Sequence, residues 1–369
     1  MFTKKYWSSW KSQASNESSQ KSKKGRDGKK KRKRRMKITA EDLGEHDPSN
    51  ITAVNKKDSV RKEKKKVKHC EKHNIACDGI RILNLKKTYF KKPFGWKSKN
   101  DVHAVQGIYL EVPDRELLCL LGHNGAGKST LFSMLSGVLQ PTYGKALICG
   151  FDISTQIEEI RHIMGVVPQF DILWGELTSC EHMRMFCKIK GVHEDEIEKV
   201  TDELLESVGL LDVKNARVVT YSGGMKRRLS VAISCIGDPR IIFMDEPTTG
   251  MDPVSRRDVW TLIQRIKRNK VMVLTTHAME EADILSDRIA VICDGKLKCV
   301  GTPLYLKNTF GDGYRITLVV DPGQERRIIE LMDFIAPSNR LIDESGGSMV
   351  FTVPINNINE IAPLFKLIE

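Results

Sequence analysis

The sequence lacks any apolar run long enough to cross a membrane. Its longest apolar stretches, within VMVLTTH and RIIFMDE, last a few residues, against the ~20 that a spanning helix needs. The first ten residues, MFTKKYWSSW, have no apolar core, so we expect no secretory signal there. The nine cysteines are scattered and form no C-x-x-C pair. We therefore expect reduced cytosolic thiols, which excludes a disulfide-bonded secreted framework.

Aliphatic residues are scarce in the first 78 residues, where positive charge is concentrated. Residues 1–80 hold 24 Lys/Arg against 10 Asp/Glu, a net charge of +14, while the whole chain carries +13. A segment of this composition cannot bury enough apolar surface to offset its ordering entropy, so 1–78 is predicted to be a disordered basic tail. Its most basic block, 21–37, fits a nuclear-import or nucleic-acid segment, a patch for anionic lipid headgroups, or a solvated linker. The sequence leaves these interpretations open.

One group of metal-ligand residue types stands near the end of this tail. The stretch HCEKHNIACDG contains Cys70, His73 and Cys77. Their spacing matches no common zinc pattern, and the surrounding sequence is polar. We therefore favour a plain connection into the first strand over a zinc site.

Residues 79–305 have the pattern of an α/β domain. IRILNLKKTYF and VHAVQGIYLEV alternate and predict strands of an antiparallel edge, and LLCLLG predicts a short buried strand. Helical and strand patterns then alternate to about Gly301, which indicates a mostly parallel sheet. A block over about 172–215 has helical spacing.

The last segment, 306–369, has a different order of elements. GYRITLVV predicts a strand, QERRIIELMDFI a helix, RLIDESGGSMVFTVP a hairpin, and INEIAPLFKLIE a second helix. The order βαββα is that of a ferredoxin-like α+β unit without its final strand. We therefore expect that the chain is a fragment of a longer protein.

A phosphate-binding loop follows the buried strand. GHNGAGKST satisfies G-x-x-x-x-G-K-[ST] with Gly122, Gly127, Lys128 and Ser129. The backbone N–H groups of 124–128 are predicted to surround a β-phosphate, beside the positive end of the helix that begins near Lys128. Lys128 would neutralise β- and γ-phosphate oxygens, and Ser129 would ligate Mg²⁺.

Two further motifs suit a nucleoside triphosphate. RIIFMDEP predicts a buried strand ending in Asp245, for the Mg²⁺ shell, and Glu246, placed to polarise a water aimed at the γ-phosphate. In YSGGMKRRLS, Ser222 is a good helix cap, and Gly223 and Gly224 expose backbone N–H groups at a second helix start. A single nucleotide does not need two phosphate cradles within one domain.

Three smaller signals stand between and after these motifs. Gln169 and His277 each follow a predicted strand, and Asp252 comes just after the acidic pair. Any one of them alone would be assigned a structural role. Their order and intervals beside the phosphate loop favour a role in the nucleotide site.

Together these motifs closely resemble an ATP-binding cassette (ABC) domain over about 80–305. Walker A is similar to 122–130, which includes Asn124, Gly125, Ala126 and Thr130; the signature is similar to 222–226 and Walker B to 241–245. The resemblance gives Glu246 the role of catalytic base and Gln169, His277 and Asp252 those of the Q-loop, H-loop and D-loop. His277 and Lys128 would stabilise γ-phosphate charge, and Ser129 and Gln169 would hold the metal. Tyr89 is similar to the aromatic residue that stacks on adenine.

The resemblance implies a mixed-sheet P-loop NTPase with an antiparallel edge sheet and a helical subdomain, using ATP and Mg²⁺. In this family two cassettes pair head to tail, and each ATP lies between one Walker A and the other cassette's signature. That pairing accounts for the two cradles. Tyr221 and Met225 replace the usual Leu and Gln of the signature, and neither position makes the phosphate contact.

The longer motifs resemble subfamily A transporters, which largely move lipids. DEPTTGMDPVSRR and THAMEEADILSDRIAVICDGKLKCVGTPLYLKN carry this likeness, and the βαββα unit resembles their regulatory domain. The resemblance implies transmembrane domains and a second cassette as partners, a lipid cargo, and a place at the cytosolic face of a membrane.

A soluble ABC ATPase that acts on ribosomes or RNA through the basic tail is the alternative. Those proteins usually carry two cassettes in one chain, whereas this chain carries one, so nucleic acid is the less favoured partner. A chromosome-type ATPase would need a long coiled coil between Lys128 and Ser222, which are only 94 positions apart.

Overall fold

The computed structural model describes residues 51–90, 101–310, 313–321, 323–345 and 347–354, together with 357, 360 and 363. The side chains of 51–57 are outside this description. The strands, in chain order, are β1 (Ile80–Tyr89), β2 (Val102–Val112), β3 (Leu117–Leu121), β4 (Tyr143–Ile148), β5 (Phe151–Asp152), β6 (Met164–Val167), β7 (Ile241–Asp245), β8 (Val271–Thr276), β9 (Arg288–Cys293), β10 (Lys296–Gly301), β11 (Tyr314–Val319), β12 (Arg340–Ser345) and β13 (Ser348–Val353).

Helices connect and cover these strands. In chain order they are α1 (Ile51–Lys72), α2 (Lys128–Leu135), α3 (Ile157–His162), α4 (Ser179–Lys190), α5 (Glu194–Ser207), α6 (Gly223–Ser234), α7 (Pro253–Ile266), α8 (Met279–Leu285), α9 (Pro303–Phe310) and α10 (Glu325–Ile335). Among the residues that the structure describes, none of these helices has both the length and the apolar character that a bilayer span requires.

A six-stranded sheet forms the centre, in the order β10-β9-β3-β8-β7-β6. The strands from β9 to β6 pair in parallel, and β10 pairs antiparallel to β9. The middle strands β3 and β8 are buried along their whole length, which explains the apolar runs LLCLL and VMVL within them. The predicted α/β fold with a mostly parallel sheet is confirmed.

A second sheet, in the order β2-β1-β4-β5, is antiparallel throughout. Its buried side chains pack with α2 and one face of the central sheet, while α4 to α8 pack with the other face. The predicted antiparallel edge is therefore confirmed. The block predicted to be helical is also confirmed, since α4 begins with a capping box at Thr178 and α5 follows it.

Helix α1 lies within the segment for which the sequence predicts disorder. Glu63 Oε1 accepts a hydrogen bond from the backbone N–H of Glu111 at 2.9 Å, and its Oε2 lies 2.9 Å from Arg288 Nη2. Val67 is fully buried. The prediction of disorder is therefore wrong over 51–72, because a few apolar positions and one paired carboxylate dock this basic helix on β2 and β10. Residues 1–50 lie outside the described residues. The buried positions of α1 recur every three or four residues, at Ser59, Glu63, Val67 and Cys70.

The C-terminal segment forms a small antiparallel sheet in the order β11-β13-β12. Along the chain, α10 follows β11 and precedes β12. Met332 of α10 is buried in one cluster with Met349 and Phe351 of β13. This is the order of the first three strands of a ferredoxin-like unit, so the predicted strand, helix and hairpin are confirmed. Most of the final predicted helix lies outside the described residues.

Candidate active site

Four neighbouring strands of the central sheet deliver the predicted site residues to one edge. The phosphate loop follows β3, His277 follows β8, Glu246 follows β7, and Gln169 follows β6 by two residues. Because β3, β8, β7 and β6 run parallel as neighbours, their carboxyl ends open into the same crevice. A cavity of about 670 Å³ lies there, and its walls include the following predicted residues: Asn124, Gly125, Gly127, Lys128, Ser129, Thr130, Gln169, Glu246 and His277.

The phosphate loop needs glycine at two close approaches to neighbouring backbone. Gly127 has φ +100°, and a Cβ there would lie 2.3 Å from the carbonyl oxygen of Ala104. A Cβ on Gly122 would lie 2.3 Å from the carbonyl oxygen of Ile292. The loop thus fits tightly against β2 and β9, while α2 starts at Lys128 with its positive end beside the cavity.

The Lys128 ammonium is held inside the loop. Its Nζ donates hydrogen bonds to the carbonyl oxygens of Gly122, at 2.7 Å, and His123, at 3.2 Å. The side chain is only 4% exposed, and Nζ lies 3.7 Å from Glu246 Oε1. A buried cation in a loop of backbone N–H groups is suited to bind phosphate oxygens.

Glu246 is the point at which the other motifs converge. Its Oε2 accepts hydrogen bonds from Gln169 Nε2 at 3.3 Å and Thr249 Oγ1 at 3.1 Å, and it lies 3.4 Å from His277 Nδ1. The residue is buried and has φ +43°, a left-handed conformation that is strained for a side chain of this kind. The backbone therefore turns sharply after β7 and directs this carboxylate into the cavity.

Asp245 lies one residue earlier, at the end of β7, and does not line the cavity. Its Oδ1 accepts a hydrogen bond from Thr275 Oγ1 at 2.5 Å. Burial raises the pKa of the Asp245 carboxyl, and the hydrogen bond from Thr275 partly offsets that effect. A nearby cation would favour its ionised form, which is consistent with the predicted place in a Mg²⁺ shell.

The oxygen donors at this edge suit Mg²⁺ in kind. Ser129 is exposed and lines the cavity, Gln169 also lines it, and Asp245 immediately precedes Glu246, which lines it as well. Hydroxyl, amide and carboxylate oxygens are hard ligands of the type that Mg²⁺ prefers. The predicted metal ligands therefore fit the group that they are assigned.

Arg227 is a structural residue of this site that the sequence reasoning does not find. Its guanidinium donates to the carbonyl oxygens of Pro247 at 2.6 Å, Pro168 at 2.5 Å and Asp245 at 3.1 Å, and to the Asp171 carboxylate at 3.2 Å. It is 4% exposed. The buried guanidinium of Arg227 therefore links α6 to the segments that carry Gln169 and Glu246. The sequence gives only a weak signal, a run of three basic residues one turn into a helix.

The Ser-Gly-Gly motif opens α6 as predicted, away from the cavity. Ser222 caps the helix by accepting a hydrogen bond from the backbone N–H of Met225 at 3.2 Å. Ser222 and Gly223 are exposed, and a Cβ on Gly223 would meet no atom within 4 Å. Neither these residues nor Gly224 line the cavity. In a single chain the two cradles are thus separate surfaces.

Four other predicted residues also lie outside the cavity wall. Asp252 caps α7 by accepting a hydrogen bond from the backbone N–H of Ser255 at 2.9 Å. Gly122, which lies close to the backbone of Ile292, and the buried Ala126 belong to the phosphate loop but do not line the cavity. Tyr89 is 42% exposed at the end of β1, and its cross-strand partner Val102 lines the cavity instead.

The sequence also left a zinc site in the basic segment as a minor alternative. Cys70 Sγ lies 3.9 Å from Glu111 Oε2, while Cys77 Sγ lies 3.5 Å from the carbonyl oxygen of Gly79. Among the described residues, the side chains that lie close enough together to share a metal ion are in another part of the fold: His123, Cys293 and Asp294. The plain connection into β1 is therefore supported.

Comparison with protein families and curated proteins places these motifs in a known group. The family model described as "ABC transporter" matches residues 105–249. The chain is 41% identical over 327 residues to ABC transporter A family member 10 of Arabidopsis thaliana, covering 87% of this chain and 35% of that protein. It is 42% identical over 290 residues to ABC transporter A family member 1 of Dictyostelium discoideum, covering 78% and 33%. The chain thus spans about a third of the length of these relatives.

Solved structures share the fold. One neighbour is a dimeric ATP-binding cassette in a post-hydrolysis state with ADP and Pi; its TM-score is 0.54 at 23% identity, covering 61% of this chain and 98% of that one. Another is the ATP-binding subunit of an ABC transporter, with a TM-score of 0.53 at 25% identity, covering 63% and 93%. With the motif geometry described above, these findings lead to one conclusion: the chain contains an ATP-binding cassette of the ABC transporter A family.

Proposed function

We propose that this chain binds MgATP at the cavity beside the phosphate loop and hydrolyses it when two cassettes pair, so that hydrolysis energises transport. The observation that carries the proposal is the position of Glu246. This buried carboxylate lies within 3.7 Å of groups on Lys128, Gln169 and His277, which come from three other segments of the chain. The post-hydrolysis ADP–Pi complex of a neighbour in fold supports the same reaction.

Hydrolysis then follows from these residues as an in-line attack of water on the γ-phosphate. Glu246 orients the water and accepts its proton, since its carboxylate faces the cavity. Lys128 and His277 stabilise the charge that develops on the γ-phosphate oxygens. Ser129, Gln169 and Asp245 would hold Mg²⁺, which when bound would neutralise phosphate charge.

Pairing completes the site. The helix start at Ser222–Gly224, where Ser222 and Gly223 are exposed, is suited to bind a γ-phosphate but lies outside this chain's own cavity. We therefore place it against the ATP of a second cassette, arranged head to tail, with Asp252 near that junction. The dimeric form of a neighbour in fold supports this arrangement.

The wider assignment rests on the A-family relatives for the transporter and, for the cargo, on the resemblance of the sequence motifs to subfamily A transporters. In this assignment the partners of the chain are the transmembrane domains of a transporter, and the chain lies at the cytosolic face of a membrane. The cargo of the transporter is lipid. The domain limits 79–305 for the cassette and 306–369 for a regulatory unit belong to the same proposal. Lipid transfer by the complete transporter in vesicles, with and without Glu246→Gln, is the measurement that checks the cargo.

The first experiment separates binding from hydrolysis. In Glu246→Gln the amide keeps the shape of the side chain but cannot accept the proton, so we expect ATP binding to persist and phosphate release to fall about 100-fold or more. Glu280→Gln is the matched control, because Glu280 is an exposed carboxylate that follows His277 by three residues. Phosphate release from Glu246→Gln equal to that of the unchanged chain would refute the assigned role.

The second experiment tests pairing. Lys128→Ala removes the phosphate loop cation, and Gly223→Glu places a negative charge where the second cassette's γ-phosphate would lie. Each variant alone should be inactive. An equal mixture should recover activity, because one mixed pair contains an intact loop opposite an intact Ser-Gly-Gly helix. If the mixture stays inactive while each variant still binds the unchanged chain, the head-to-tail site is wrong.

A further inference from the structure

A group of metal-ligand side chains lies at the rim of the nucleotide cavity, and the hydrolysis mechanism makes no use of it. His123 belongs to the phosphate loop, while Cys293 and Asp294 stand at the turn between β9 and β10. One ligand atom from each of the three lies within 4.8 Å of the others. Two segments separated by 170 residues thus bring an imidazole, a thiol and a carboxylate together.

The distances match those between ligands of a zinc ion. Cys293 Sγ lies 3.7 Å from His123 Nε2 and 3.3 Å from Asp294 Oδ2. In a tetrahedral site, bonds of ~2.3 Å to sulfur and ~2.0 Å to nitrogen or oxygen place the sulfur ~3.5 Å from each of the other two ligands. An ion could therefore enter between the three atoms with small side-chain movements.

The tautomer of His123 is also the one that metal binding requires. Its Nδ1 lies 2.7 Å from the carbonyl oxygen of Asn124. A carbonyl oxygen can only accept, so Nδ1 carries the hydrogen, and the lone pair of the neutral ring is left on Nε2, the atom that faces Cys293. A backbone carbonyl that orients a ligating imidazole in this way is a common feature of metal sites.

The remaining position would be filled by water. His123 and Asp294 are exposed and Cys293 is half-buried, so the group opens to solvent on one side. Three protein ligands and an open fourth position are typical of an exchangeable zinc site, in contrast to the closed sets of four in structural sites. The ligand set combines a thiolate, an imidazole and a carboxylate, which favours Zn²⁺ over Mg²⁺.

We propose that His123, Cys293 and Asp294 form a binding site for a thiophilic divalent cation, Zn²⁺ or Cd²⁺, that fastens the phosphate loop to the β9–β10 turn. The Cys293 thiol loses its proton to solvent as the metal–sulfur bond forms. Asp294 and the next residue, Gly295, line the nucleotide cavity, so the bound ion would restrain two of its walls. The site is independent of the proposed hydrolysis, because it uses none of the residues assigned to it.

The test is a titration of the chain with Cd²⁺. The chain carries no polyhistidine tag and the solution contains no nucleotide, because either would itself bind the metal. Cd²⁺ bound to a thiolate gives an ultraviolet charge-transfer absorption, and we expect it to saturate at one ion per chain. Cys293→Ser should abolish the band, and His123→Ala and Asp294→Asn should each weaken binding about tenfold or more. Cys149→Ser is the matched control, because that thiol is also half-buried but bonds the carbonyl oxygen of Asp78. A saturating band that survives in Cys293→Ser would overturn the proposal.

A second measurement uses the unchanged chain and so does not depend on how the variants fold. Zn²⁺ should slow alkylation of Cys293 by iodoacetamide about tenfold or more, and a chelator should restore the original rate. Peptide mapping reports Cys293 and Cys149 separately in the same sample. Equal alkylation of Cys293 with and without Zn²⁺ would exclude the site, whatever the rate at Cys149.

Discussion

Replacement of Arg227 by methionine tests the structural account of the site most directly. The substitution keeps an unbranched apolar stem of similar reach and removes the guanidinium. Three carbonyl oxygens, of Pro168, Asp245 and Pro247, lose their donor, and the Asp171 carboxylate loses its ion pair. Within the described residues, these bonds join α6 to the segments that carry Gln169 and Glu246.

The size of the effect follows from burial. Loss of one partner of a buried charge pair costs about 3–5 kcal/mol, because the other groups stay buried without a partner. The Asp171 side chain is 25% exposed and can recover part of its hydration, so we expect the lower end, about 3 kcal/mol. For a domain of this size that free energy lowers the unfolding midpoint by roughly 6–12 °C.

Thermal unfolding followed by circular dichroism measures this shift, and phosphate release measures the effect on Gln169 and Glu246. Arg228→Met is the control, since Arg228 is the next residue of the same helix and, among the described residues, donates one side-chain hydrogen bond, from Nη1 to the carbonyl oxygen of Val208 at 3.0 Å. That variant should lose no more than about 1.5 kcal/mol. Equal midpoints for the two variants would show that the buried guanidinium of Arg227 does not hold the site together.

Three further predictions concern the phosphate loop and the docked helix α1. Gly127→Ala should lower nucleotide affinity and the unfolding midpoint, because its Cβ would lie 2.3 Å from the carbonyl oxygen of Ala104 at φ +100°; nucleotide titration and thermal unfolding measure both. Val67→Ala should cost about 1.6 kcal/mol, the value of two buried methyl groups, and speed hydrogen exchange in α1. Burial would raise the pKa of Glu111, but hydrogen bonds from Arg81 and the charge of Lys66 outweigh burial and lower it. Its contribution to stability is therefore present above the ordinary pKa of a glutamate and lost as pH falls through the lowered value, so Glu111→Gln should flatten the acid side of a stability–pH curve.

The first two of these changes have matched control variants, and the third has a clear refuting outcome. Gly125→Ala also has a positive φ, but its Cβ meets no atom within 4 Å, so it should disturb the loop less than Gly127→Ala. Lys65→Ala changes an exposed position of α1 and should leave exchange unaltered. An acid limb of the same slope in Glu111→Gln and the unchanged chain would contradict the pairing with Arg81.

The central sheet and most of the cavity wall could be predicted from the sequence, for a physical reason. Buried parallel strands have short apolar runs in their sequences. Polar residues directly after such runs lie together at the carboxyl edge of the sheet. Glu246 and His277 were predicted in this way, and Lys128 was predicted from the phosphate-loop motif; the structure brings all three together around the cavity.

The contacts between distant segments could not be predicted. The role of Arg227 depends on three backbone carbonyl oxygens. Every residue has such a carbonyl, so the sequence does not indicate which of them accept a hydrogen bond. Helix α1 was missed because its composition is that of a disordered segment, while its docking depends on Arg288, 225 positions beyond Glu63.

The docking of α1 has a mechanical consequence. A helix of 22 residues is ~33 Å long, and here it is held at Glu63 by Arg288 and by the backbone of Glu111. Arg288 begins β9, whose far end is Cys293, at the turn beside the nucleotide cavity. A force applied at residue 51 would thus reach that turn through helix α1, the Glu63–Arg288 ion pair and strand β9, without passing through a flexible loop.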